Sequence, residues 1–536
     1  MTRQKSEDRV VPKGPRKRVP TRRAERSGGG KAISVNQQAW QLELPFGTAE
    51  NGKAQAKPLI DVVARDRARA ATHAGPKPRN KNKKVTSATM EEVTERLDDA
   101  FRSVASNKGA PGPDQQNIEQ VRACWDELRV VLSAALLEGK YRPGDIRRVW
   151  IPKVGGGQRG LGIPNVVDRV VQEAVRQLLE PLYEPTFHPS SHGFRPHRGC
   201  HTAIQQAQSY LEEGYEWVVD LDLENFFDRV HHQRLMARLA QRVDDRRMLV
   251  LIGQMLRAKV VMPDGVKVST EQGVPQGGPL SPLLSNIVLD ELDRELSQRG
   301  HRFVRYADDC NVYVRSERAG QRVMASLTSF INRRLRLSVN VAKSAVARPE
   351  QRHFLGFSLR PEPQSGEAQV LLSERSKKRL ATRIRELTPR TWGGSLKACI
   401  AALNEYLIGW LGYFEICTAG AERTMGEMDK HIRRRLRAIQ LAHWKKSKRI
   451  IATKLTKLGV SKRAAWGGVY KGHKSLWALS HCPPVDRGLR NAYFAERGLV
   501  SLNDRWRKLA QPTVAPVQPT GWNWDKARSK TGQQRG

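Results

Sequence analysis

The reading of the fold turns on Phe303-Val304-Arg305-Tyr306-Ala307-Asp308-Asp309-Cys310-Asn311-Val312-Tyr313-Val314. Two short runs rich in aromatic and β-branched residues, which favour strands, flank an acidic pair, and Asp is a turn former. The pattern predicts a β-hairpin with Asp308 and Asp309 at its tip. Adjacent like charges repel, so a site that keeps both ionised needs a counter-charge, most economically a divalent cation. Hard cations such as Mg²⁺ take one or two carboxylates plus substrate phosphates. An acidic turn on a solvated hairpin is the competing reading, and four residues alone do not separate the two.

Further upstream, Trp217-Val218-Val219-Asp220-Leu221-Asp222-Leu223 is a second strand-like run, followed by Glu224-Asn225-Phe226-Phe227-Asp228. An acid inside a β-branched run is costly to bury unless it is paired or metal-bound. Asp222 is therefore a candidate third ligand, meeting Asp308 and Asp309 across neighbouring strands. Three carboxylates around two metals is the arrangement for in-line nucleotidyl transfer. Asp220 and Asp228 are alternatives as ligands, with turn or capping roles the simpler expectation for both.

The order of motifs narrows this further. Asp222 with Phe227, then Gly273-Val274-Pro275-Gln276-Gly277, then Tyr306-Ala307-Asp308-Asp309, resembles the motif series of a reverse transcriptase. Asn340-Val341-Ala342-Lys343-Ser344 and Phe354-Leu355-Gly356-Phe357 continue the series. Asn107 to Asp114, Arg147 to Lys153 and Leu161-Gly162-Ile163-Pro164 precede it. Leu407-Ile408-Gly409-Trp410-Leu411-Gly412-Tyr413-Phe414 resembles the maturase (X) domain of group II intron-encoded proteins. The likeness covers roughly residues 90–510, in the lineage without an HNH endonuclease domain.

The resemblance implies roles. Asp222, Asp308 and Asp309, with the backbone carbonyl of Leu223, would hold two Mg²⁺ ions, Mn²⁺ being able to substitute. Phe227 matches the aromatic that excludes a 2′-hydroxyl, although an ordinary core Phe beside Phe226 reads the same way. Lys153 and Arg159 resemble residues that grip the triphosphate, Arg147 one that packs on the templating pair, and Gln276 one that lines the nucleotide pocket. Tyr306 and Lys343 are expected at the primer–template. One departure is Gly160 where the family usually has Pro, which should loosen the backbone beside Arg159. The implied function is an RNA-directed DNA polymerase and splicing maturase, with an intact triad predicting activity. Its partners would be group II intron RNA, an RNA template with DNA primer, a DNA target and dNTPs. A group II-like enzyme detached from its intron, serving repair or phage defence, is the alternative.

Composition points the same way independently. Lys and Arg number 93 against 54 acids, a formal charge of +39, which argues for a polyanionic partner and says nothing of fold. Arg433, Arg434, Arg435, Arg437, Lys445, Lys446, Lys448 and Arg449 fall within 17 residues that contain no acid. His443 and Trp444 among them offer base-stacking surfaces. No apolar run approaches a membrane span. The six cysteines are scattered, so neither disulfides nor a zinc site is expected, and a reducing bacterial cytoplasm fits. His473, His481 and Cys482 read as surface or core.

Residues 1–85 read as a disordered basic arm with one helix near Leu59 to Arg69, and 511–536 as a flexible tail. Between them, helical spacing is expected over Met90 to Val104, Val166 to Leu182, Leu283 to Leu296 and Leu396 to Leu411. Helices and strands mix without βαβ alternation, which predicts an α+β fold with an antiparallel catalytic sheet. The family likeness implies fingers and palm over 86–372 and a helical thumb/maturase domain over 373–510.

Overall fold

A computed structural model describes residues 88–152, 157–362, 366–418, 420–444, 447–471 and 475–510. The expected N-terminal arm and its helix, Lys153, Lys445, Lys446, His473 and the C-terminal tail lie outside the described residues.

Two sheets carry the residues singled out above. In the first, β1 (Ile146–Pro152) and β2 (Gln158–Ile163) form an antiparallel hairpin with Pro152 opposite Gln158. The short β4 (Val260–Val261) runs parallel to β1, and β5 (Lys267–Val268) extends the edge. The second sheet has the order β6 (Arg302–Tyr306), β7 (Asp309–Val314), β3 (Trp217–Leu221), β8 (Ala345–Ala347), with every neighbouring pair antiparallel. The helices Cys200–Glu212, Ser281–Gln298 and Glu317–Phe330 pack on this sheet. That is why β7 is buried from Cys310 to Val314 instead of alternating. A separate hairpin, β9 (Phe357–Pro361) with β10 (Ala368–Leu372), leads into a run that is helical from Glu374 onward. This is the α+β class read from the sequence.

Boundaries differ in instructive places. The Met90 to Val104 stripe is two helices, Met90–Glu95 and Leu97–Ser106, hinged at Arg96, whose guanidinium donates to the Glu92 carbonyl at 2.7 Å. The hinge keeps Met90, Val93, Leu97 and Phe101 all buried. The helix Val166–Tyr183 runs two residues past Pro181, which forfeits one backbone hydrogen bond near the helix end. Leu396–Phe414 buries Ile400, Leu403, Leu407, Trp410 and Leu411 as its spacing predicted. One apolar core runs from Ile204 and Tyr210 through Phe357 and Leu403 to Phe494. Each such fully buried side chain contributes about 1.5–3 kcal/mol, enough together to hold the C-terminal helices against the β9–β10 hairpin. Among the described residues, no helix is long and apolar enough to cross a membrane.

Candidate active site

The acidic hairpin forms, with its two carboxylates in different places. Tyr306 pairs with Asp309 across a two-residue turn, so Asp308 lies in the turn while Asp309 opens β7. Ala307 adopts φ +56°, a left-handed conformation that costs an alanine about 1–2 kcal/mol. On the other side of β7, Leu221 faces Cys310, which brings Asp222 level with Asp309. Asp220, Asp222 and Asp309 line a cleft of about 730 Å³ whose far wall includes Trp410 and Tyr413.

Electrostatics distinguishes these acids. Asp220 is neither a turn nor a cap residue, correcting that expectation. Its Oδ2 accepts from the Arg352 guanidinium at 2.6 and 2.8 Å, so its charge is matched. Asp228 lies within the short helix Phe226–Arg229, not in a turn, and its N–H donates to the Asn225 carbonyl at 2.9 Å. Asp222 has the exposed Lys343 ammonium 3.3 Å from its Oδ2. Burial raises the Asp308 carboxyl, with Asp222 adding to the rise and Arg159 and Lys343 opposing it. Asp309 is pushed up to about 7, first by burial and then by Asp308, Asp220 and Asp222. Its side chain reaches the cleft while protein crowds its other sides, so cleft water screens part of this repulsion.

Asp222, Asp308 and Asp309 are thus hard oxygen donors with more negative charge than Lys343 offsets, a set that fits a divalent cation. Among the described residues, no three His, Cys, Asp or Glu side chains stand together as a metal site by themselves. Mg²⁺ takes its other ligands from water and substrate phosphates, so an open set suffices. Leu223 is buried and bridges to Val339 beside Asp222, whose own carbonyl accepts from the Asn340 N–H at 2.8 Å.

A second pocket of about 550 Å³ is lined by Arg159, Phe194, Phe227 and Gln276 among others. Phe227 opens into it from the short helix Phe226–Arg229, which follows the left-handed Asn225. Its carbonyl accepts from the Val274 N–H at 2.6 Å, and its ring meets Phe226 edge-on at 5.2 Å. The Gly273-Val274 strap therefore fixes where the ring stands. Arg159 Nε donates to Gln276 Oε1 at 2.6 Å, drawing two of the expected nucleotide contacts together. Arg147 is half-buried on β1 opposite Ile163. Gly160 does not loosen β2. It stays in register opposite Trp150, its carbonyl accepts from Arg148 at 2.9 Å, and a Cβ there would meet Arg148 Nη1 at 2.5 Å.

The basic segment splits. Arg435 is buried and donates to Thr388 Oγ1, the Thr388 carbonyl and the Arg385 carbonyl, and Arg437 pairs with Asp486 and the Leu489 carbonyl. Both are therefore internal clasps, correcting the expectation that all four arginines face a nucleic acid. Arg433 and Arg434 are half-buried, and Arg434 lies 4.1 Å over the Trp477 ring. Trp444 packs against the core and His443 lies 3.2 Å from the Trp392 carbonyl. An exposed aromatic near this segment is Tyr470, stacked on Trp466 at 5.7 Å with Lys448 above it.

Three residues at the site left no periodic signal. Arg352 neutralises Asp220. Phe194, at φ +59°, is 45% exposed in the pocket that Phe227 and Gln276 also line. The Tyr306 hydroxyl is pushed up to about 12, first by burial and then by the neighbouring Cys200 thiol. Of these, only Phe194 carried a cue, the Gly193-Phe194-Arg195-Pro196 turn composition.

Residues 151–359 match the family described as reverse transcriptase (RNA-dependent DNA polymerase), and 377–458 match the group II intron, maturase-specific domain. The chain is similar to protein YkfC of Escherichia coli, 37% identical over 209 residues, or 38% of this chain and 55% of that one. It is also similar to the group II intron-encoded protein LtrA of Lactococcus lactis, 31% identical over 38% of this chain and 34% of LtrA. A putative COX1/OXI3 intron 2 protein of Saccharomyces cerevisiae is 26% identical over 61% of this chain and 44% of its own length. The matches thus span about a third to a little over half of each relative.

Proposed function

We propose that the chain, which matches both the reverse transcriptase family and the group II intron maturase-specific domain, copies intron RNA into DNA and binds the same RNA to assist splicing and mobility. The observation that carries the reading is the meeting of Asp222 with Asp309 in one cleft, next to the turn that holds Asp308. Residues 86–372 would be fingers and palm, and 373–510 the thumb and maturase domain, acting in the cytoplasm.

Asp222, Asp308, Asp309 and the Leu223 carbonyl would hold two divalent cations, Mg²⁺ with Mn²⁺ able to substitute. Such ions supply an activated primer 3′-hydroxyl and charge neutralisation on the triphosphate. The protein's own residues position the partners. Arg159, with Lys153, grips the dNTP phosphates and is pre-aimed by Gln276. Phe227 walls off the sugar, and Arg147 packs on the templating pair. Tyr306 and Lys343 flank the primer end, while Arg433 and Arg434, with Lys445 and Lys446, meet RNA or the DNA target. Purified protein should extend a DNA primer on an RNA template with Mg²⁺, and no extension under any divalent cation would end the reading.

The site also makes the bare protein pH-sensitive. The folded Asp309 holds its proton up to about 7, whereas an ordinary Asp loses it near 3.8. The folded state therefore binds more protons across that window, so the metal-free protein loses stability as pH rises through it. A cation must displace that proton below pH 7. Calorimetric Mn²⁺ titration in buffers of different ionisation enthalpy should show proton release at pH 6 that vanishes by pH 9. Equal release at both values would contradict the assignment.

A further inference from the structure

Arg305 is the largest fully buried side chain among the described residues and lies three residues from Asp308. All five of its guanidinium N–H donors are committed. Nε and Nη2 form a fork onto Asp293, with Nε 2.7 Å from Oδ1 and Nη2 2.5 Å from Oδ2. Nη2 also donates to Ser191 Oγ at 2.7 Å, and Nη1 to Asn286 Oδ1 at 3.0 Å. The fifth donor, on Nη1, reaches the Ala307 carbonyl at 2.9 Å, inside the left-handed turn that carries Asp308.

The same network grips the turn from its other side. Asn286 donates its amide to the Gly193 carbonyl at 2.9 Å. Gly193 lies so close to the turn that a Cβ on it would stand 2.3 Å from the Ala307 nitrogen. The Arg305 backbone is itself paired, N–H to the Ser190 carbonyl and carbonyl from the His192 N–H, both at 2.8 Å. A hairpin turn needs none of this to close. A strained residue persists only where its surroundings over-determine it.

Building on the polymerase reading, we propose that Arg305 is a positioning residue, with Asp293 and Asn286 as its anchors, that holds the Ala307 carbonyl and so aims the Asp308 carboxylate at Asp222 and Asp309. Lysine keeps the charge but offers three donors from one point, and it cannot form the fork onto Asp293 while reaching Ser191, Asn286 and the turn. Loss of the contact leaves the buried Ala307 carbonyl unpaired, and the turn relaxes toward a conformation that alanine prefers.

The test compares full-length wild type, Arg305→Lys and Asn286→Ala, the last leaving the buried ion pair intact. Folding is read by circular dichroism and thermal midpoint, Mn²⁺ binding by electron paramagnetic resonance, and single-nucleotide extension by kcat and KM. A folded Arg305→Lys should lose on the order of a hundredfold in kcat, the scale of an ångström of misplacement. Its KM for dNTP and its affinity for primer–template should stay within about twofold, and its Mn²⁺ affinity should fall several-fold. Should Arg305→Lys not fold, Asn286→Ala decides by the same criteria with a smaller kcat loss. Wild-type kcat and Mn²⁺ affinity in the folded variant, or a kcat loss that only tracks the unfolded fraction, overturns the inference. An inactive wild type that still binds Mn²⁺ more tightly than its variants would remove the polymerase reading and keep the positioning role.

Discussion

Asp308→Asn will abolish primer extension while leaving the protein folded. The substitution keeps the shape of the turn and removes one charge from a set of three carboxylates that Lys343 and Arg159 offset only in part. A two-metal clamp contributes several kcal/mol to nucleotidyl transfer, and about 4 kcal/mol corresponds to roughly a thousandfold in rate. A merely structural carboxylate would behave differently. Asp308 is, after burial, the largest cause of the raised Asp309 carboxyl. Its neutralisation relieves that repulsion, so the metal-free variant should melt at the wild-type temperature or above it, and Asp309 should titrate lower. Measured extension within tenfold of wild type, or a melting temperature that falls in step with activity, would refute a metal-holding role for Asp308.

How much of this was legible in sequence follows from the range of each interaction. Strand-forming runs and the two-residue turn are local, so the β6–β7 hairpin and the β3 run could be read directly. The neighbourhood of Asp222 and Asp309 is set by the register of β3 against β7, and there the ordered motifs supplied what spacing could not. Charge sign was legible, but its direction was not. Arg433, Arg434, Arg435 and Arg437 look alike in sequence, yet the helix Ala421–His443 turns Arg435 toward Thr388 and Arg437 toward Asp486, each about fifty residues away along the chain. Asp220 met the same fate, its partner Arg352 being far away in sequence. Arg305 stayed hidden because nothing local to its strand run names a partner for its charge. Only the packed structure shows the buried Asp293 that makes its burial tolerable.

Phe227→Ala should raise ribonucleotide incorporation far more than it lowers deoxynucleotide incorporation. The ring is buried to 7% exposure, yet it lines the pocket that also holds Arg159 and Gln276. Its backbone is clamped by Val274 and its ring is braced by Phe226, so it has little freedom to swing away from an added hydroxyl. Overpacking of this kind costs about 1–3 kcal/mol, which amounts to a selectivity change of roughly fivefold to 150-fold. An ordinary core phenylalanine makes the opposite forecast. Truncation would then cost about 3–5 kcal/mol of stability and leave sugar selection where it was. The two are separated by measuring the ratio of kcat/KM for a dNTP to that for the matching NTP, alongside the thermal midpoint. Phe227→Leu serves as the intermediate, filling most of the core volume while withdrawing the flat edge from the pocket. A ratio that falls in the order Phe, Leu, Ala assigns the ring to the sugar. An unchanged ratio in a destabilised protein assigns it to the core, and sugar discrimination would then have to lie with another residue of the same pocket, the exposed Phe194 being the next to test.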